Sequence, residues 1–90
     1  YQLNTVAYMV NVDSAATYVQ LSLKTSNRQY YAIIDPGTFS GDAAYWYLNI
    51  CVLADMDASD TAFVEIQLNN SGTAQMDLTA QTHFNGYLVA

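Results

Sequence analysis

At 90 residues the chain makes one small domain at most, near the lower size at which a single hydrophobic core is stable unaided. It is 52% apolar and only 11% charged, which excludes the disordered class. Two basic residues, Lys24 and Arg28, stand against eight acidic ones, so no electrostatic footprint for nucleic acid or an anionic membrane exists.

Taken in chain order, the apolar pattern repeats every second residue nearly everywhere, the signature of β-strands. Residues 1–10 form the first expected strand, and a polar loop around Asp13 and Ser14 ends it. Tyr18–Thr25 alternates cleanly, with Val19, Leu21 and Leu23 on one face and Gln20, Ser22 and Lys24 on the other. Ser26-Asn27-Arg28 reads as a hairpin turn into Gln29–Ile34. Asp35-Pro36-Gly37 is a turn signal, and a type II turn would place Gly37 at positive φ.

The loop continues to Asp42, with Ala43-Ala44, like Ala15-Ala16, able to support one helical turn. Residues 45–53 form the longest apolar strand, with Trp46, Leu48, Ile50 and Val52 on one face and Tyr45, Tyr47, Cys51 and Leu53 on the other. Further strands are expected at 61–68, 73–78 and 83–89, the first two divided by the Asn69-Asn70-Ser71-Gly72 turn. Seven short strands with regular turns predict an all-β sandwich or barrel.

So few charges leave too little polar surface to cover a lone monomer, which points to buried area between subunits. The single cysteine, Cys51, excludes an intrachain disulfide and is expected to be a buried small hydrophobe. No apolar run approaches the roughly 20 residues of a spanning helix, and no charged-then-apolar leader is present. The chain opens inside a strand pattern without an initiator Met, as expected of a fragment or processed piece.

Three segments near the C-terminus carry a family resemblance. They are Asp57-Ala58-Ser59-Asp60-Thr61-Ala62-Phe63-Val64-Glu65-Ile66-Gln67, then Gly72-Thr73-Ala74-Gln75, then Phe84-Asn85-Gly86-Tyr87-Leu88-Val89. In order and spacing they resemble the end of the complement C1q/TNF-like jelly-roll domain. With Asn69-Asn70-Ser71 between them, they are similar to the C1q-like modules that end many phage and bacterial fibre proteins.

The resemblance implies a single two-sheet β-sandwich over 1–90 with jelly-roll topology, N-terminally truncated because the family's first strands are absent. It implies three principal strands in each sheet, the inner sheet apolar on both faces because it packs against other subunits about a three-fold axis. Tyr45, Tyr47, Leu53 and Tyr87 are the trimer-interface residues expected on that basis. The implied protein is a non-enzymatic homotrimeric head of a tail fibre, at a virion surface or extracellular. It would bind a cell-surface glycan or protein through loops and intersubunit grooves, without nucleic acid or membrane insertion. The alternative is a structural module for trimerisation or strand-exchange filament assembly, its missing strands supplied by a neighbour.

Among candidate sites, Asp55-x-Asp57-x-x-Asp60 is the densest anionic cluster and could begin to supply oxygen ligands to Ca²⁺. It is no EF-hand, since Gly is missing from the sixth position and Ile66 occupies the twelfth. The plainer expectation is a solvated turn whose aspartates cap backbone N–H groups. Loop residues Asp35, Phe39, Asp42, Asn69 and Asn70 are candidate ligand contacts, because sandwich-end loops carry recognition. Tyr30-Tyr31 and Tyr45-Trp46-Tyr47 could stack on sugars but are expected to pack in the core and interface. Asn69-Asn70-Ser71 matches a glycosylation sequon and is read as turn chemistry. His83 is expected at a strand edge or interface, and no nucleophile elbow, zinc-binding His pair or phosphate loop points to catalysis.

Overall fold

The computed structural model describes residues 1–69 and 76–89. Two antiparallel sheets share one hydrophobic core, the arrangement of a β-sandwich. In the first, β1 (Gln2–Val12) is central: β4 (Ala43–Leu53) pairs along one edge, and β7 (His83–Tyr87) and the two-residue β6 (Asp77–Leu78) along the other. In the second, β2 (Tyr18–Thr25) lies between β3 (Gln29–Ile34) and β5 (Ala62–Asn69). The strands thus divide between sheets as expected, with β6 added to the first.

Alternation sets the core. Leu3, Ala7 and Met9 of β1, Val19, Leu21 and Leu23 of β2, and Leu48 and Ile50 of β4 point between the sheets and are buried. Thr5 is buried among them and donates its hydroxyl hydrogen bond to the His83 carbonyl, 3.0 Å, so its polar group is satisfied. Asn11 adopts φ 54°, the left-handed region that Asn tolerates better than most side chains. This turns Val12 inward against the parity of its strand, and Val12 is fully buried.

Gly86 answers a steric demand at the closing strand. It pairs with Leu3, and a Cβ there would meet Leu3 Cδ2 at 2.5 Å and the Gln2 carbonyl oxygen at 3.1 Å. A larger residue would displace a core side chain and press on the backbone of β1.

Several expectations are corrected. Asp35-Pro36-Gly37 does not form a turn with positive φ at glycine; Pro36–Thr38 is a 3₁₀ turn, and no described glycine has positive φ. Proline suits the first position of such a turn, and the Asp35 carboxylate accepts from the Gly37 N–H at 2.9 Å. Ala43 and Ala44 extend β4 instead of forming a helical turn. Cys51 is exposed, because its parity places it with Tyr47 and Leu53 on the outward face. The strand expected at 73–78 is described only from residue 76, and β7 ends at Tyr87.

Among the described residues the sandwich is closed on one side only. β3 lies against β4, whereas on the opposite side a cavity of about 300 Å³ opens between Val64 and Ile66 of β5 and Leu78 and Phe84 beside β1. A radius of gyration of 14.5 Å, against about 12 Å for a compact domain of this length, agrees with an elongated, open-sided molecule.

Candidate functional site

The outward face of the first sheet is the largest chemical anomaly. Register places Leu53, Gln2 and Tyr87 in one cross-strand row, and Cys51, Asn4 and Asn85 in the next. Asn49, Val6 and His83 form the third row, and Tyr47 and Tyr8 the fourth. All four expected interface residues stand on this face, exposed by 73% (Tyr45), 58% (Tyr47), 69% (Leu53) and 59% (Tyr87). Tyr8, which no motif in the sequence singles out, packs against Tyr47 with ring centroids 4.4 Å apart. His83 lies beside it, its centroid 6.3 Å from that of Tyr8, on a strand-edge site as expected.

Between the apolar ends of this face runs a polar ladder. The Gln2 amide donates to Cys51 Sγ at 3.1 Å, and the Cys51 thiol donates to Asn4 Oδ1 at 3.0 Å. The Asn4 amide in turn donates to Asn85 Oδ1 at 3.1 Å. These bonds tie β4, β1 and β7 together and orient polar groups along the middle of the face, with Asn49 and His83 in the next row.

At one end of the sandwich the loops 13–17 and 35–42, which carry candidate ligand contacts, meet. Their aspartates, however, hold the loops together. Asp42 accepts from both the backbone N–H and the hydroxyl of Ser14, at 2.9 and 3.0 Å. Asp35 caps the 3₁₀ turn, and Phe39 is half-buried against Trp46 with ring centroids 4.9 Å apart. The Asn69 carbonyl accepts from the Thr17 N–H at 2.7 Å, and Asn70 lies outside the described residues, as does the rest of the Ser71-Gly72 turn.

At the opposite end Asp55, Asp57 and Asp60 do not gather into a ligand set. Asp55 faces Arg28 Nε at 2.9 Å, while Asp60 accepts from the Asp57 N–H at 2.8 Å and from the Asn27 amide at 3.1 Å. Among the described residues no three His, Cys, Asp or Glu side chains could hold a metal ion. Arg28 engages Asp55, and the Asp57 N–H with the Asn27 side-chain amide engages Asp60, a geometry that suits the plainer expectation of a turn held by its own carboxylates.

The hydrogen bond from Arg28 holds the Asp55 carboxyl below the usual carboxylate range and raises the Arg28 guanidinium in return. Asp42 is likewise depressed, first by the Ser14 N–H and then by its hydroxyl. A carboxyl depressed in the folded state contributes stability above its unfolded pKa and loses that contribution as pH falls through the folded value. These groups are exposed, so salt weakens the effect.

Tyr30 and Tyr31 are separated by strand parity: Tyr30 packs against the core, whereas Tyr31 stands exposed outside the second sheet. Among the described residues no helix is long and apolar enough to cross a membrane. Comparison of the chain with protein-family models, with curated proteins and with solved structures found no match.

Proposed function

We propose that this chain is a non-enzymatic C1q/TNF-like jelly-roll head that assembles as a homotrimer through the outward face of its first sheet. It recognises a cell-surface glycan or protein, at the end of a fibre on a virion or in an extracellular setting. The observation that carries this reading is the exposure of Tyr45, Tyr47, Leu53 and Tyr87 on one sheet face, at both ends of a polar ladder. Aromatic residues at this density, with uncharged amides between them, suit a protein interface better than water. The division of β1, β4 and β7 into one sheet and β2, β3 and β5 into the other supports the jelly-roll assignment, because the resemblance implies that division.

Cys51 gives a direct test, since its thiol lies within the proposed interface and is exposed in the single chain. Maleimide labelling is expected to be slow at high protein concentration and to accelerate on dilution below the dissociation constant. Fast labelling at every concentration would remove this face from any interface.

The open side of the sandwich favours a second reading, structural assembly by strand exchange. Among the described residues β5 and β7 each pair with one neighbouring strand, and an apolar cavity lies between them. Unpaired edges beside exposed Leu78 and Phe84 can accept a strand from another chain. Assembly through this side would give an open-ended range of masses instead of one closed species.

A further inference from the structure

Resting on the reading of the chain as a recognition head, we infer that the outward face of the second sheet is a binding trough for a neutral oligosaccharide. The trough follows from side-chain size along the register. Ser22 sits at its centre on β2, buried and short, directly between Tyr31 on β3 and Glu65 on β5. The next row places Gln67 opposite Gln20. The floor therefore dips between taller walls, and the hollow has a volume of about 480 Å³, within the range of small-molecule sites.

The chemistry selects the ligand. Lys24 and Glu65 form an ion pair at 2.9 Å, so the trough offers no net charge, and a chain of net charge −6 disfavours anions. Beside the apolar surface of Ile33, which is paired with Gln20, stand groups suited to hydroxyls. The Gln20 amide donates to Ser22 Oγ at 3.0 Å, which fixes its orientation and leaves its carbonyl oxygen facing no protein donor among the described residues. The side chain of Gln67, whose backbone pairs with Gln20 in the sheet, meets no hydrogen-bond partner among the described residues, so its amide can pair with vicinal hydroxyls. Tyr31, 59% exposed on the wall, supplies an aromatic face for the C–H side of a pyranose ring. Amides for hydroxyls, a ring for the apolar face and a cancelled charge together match an uncharged sugar chain. The loops at the sandwich end, with their aspartates engaged in turns, match it less well.

The test is calorimetric titration of the whole chain with neutral gluco-, manno-, galacto- and xylo-oligosaccharides, alongside an acidic oligogalacturonate. At least one neutral series is expected to bind, and Tyr31→Ala and Gln67→Ala are each expected to weaken it about 10-fold with the circular dichroism spectrum unchanged. No neutral binding at millimolar concentration, or preference for the acidic sugar, would overturn the trough. Binding weakened by Phe39→Ala but not by Tyr31→Ala would also overturn it, while leaving recognition by the loops standing. Native mass is read on the same samples, so failure of the trough is separable from failure of the trimeric head.

Discussion

If the proposed trimer is assembled through the first sheet's outward face, the double variant Tyr47→Lys, Leu53→Glu is expected to remain folded and to run as a monomer of about 9.9 kDa where the unsubstituted chain is expected to run as a trimer. Both side chains project outward from β4, 58% and 69% exposed, and neither belongs to the core. Replacing Leu53 alters the stability of a single chain by about 0.5 kcal/mol or less, and loss of the Tyr8–Tyr47 ring contact costs about 0.5–1.5 kcal/mol, both small beside the stability of a folded domain. In the assembly the same positions would bury an ammonium and a carboxylate. They lie six residues apart along an extended strand, about 20 Å, too far to neutralise one another. Uncompensated burial costs several kcal/mol per charge, and about 4 kcal/mol already weakens association about a thousandfold. Light scattering reads the mass, and circular dichroism confirms that the sheet content persists. A variant that stays trimeric would move the interface to another surface.

Leu23→Ala is expected to produce the largest loss of fold stability, about 2–5 kcal/mol. Leu23 is fully buried on β2, the central strand of the second sheet, and is flanked by Tyr30 and Val64. It does not border the open cavity, so truncation creates a new void in closely packed surroundings. At about 4–8 °C per kcal/mol for a domain of this size, the melting temperature falls by at least about 8 °C. Leu78→Ala is the natural comparison, because Leu78 is 44% exposed at the open side and loses much less on truncation. Thermal melts of both variants at one protein concentration check this, since association contributes to apparent stability. Equal losses would mean that the open side is packed as tightly as the centre.

Much of the fold was legible because strand parity is a short-range property. Val19, Leu21 and Leu23 against Gln20, Ser22 and Lys24 define both faces of β2 without tertiary information. The two apolar faces of β4 were equally visible, Leu48 and Ile50 inward and Tyr45 and Tyr47 outward. Cys51 was read as buried although its parity grouped it with Tyr47 and Leu53; an apolar neighbourhood in sequence says nothing about whether a partner covers it. The Asp-Pro-Gly turn was misread because the same triplet serves as N-cap, first residue and acceptable second residue of a 3₁₀ turn.

The site was less legible, since its partners come from afar. Arg28 reaches Asp55 across 27 residues, and Ser14 reaches Asp42 across 28. Such pairings depend on which loops share an end of the sandwich. The trough on the second sheet left a fainter signal: the polar half of β2 and β5 contains Gln20, Ser22 and Gln67 where a merely solvated face carries more charge.

Native mass by light scattering, followed through a dilution series, tests the central claim most directly. A trimeric head gives a single species of three chains, about 30 kDa from 9.9 kDa protomers, that falls to monomer on dilution without passing through larger forms. A monomer at every concentration would contradict it and leave Tyr45, Tyr47, Leu53 and Tyr87 exposed to water without a partner.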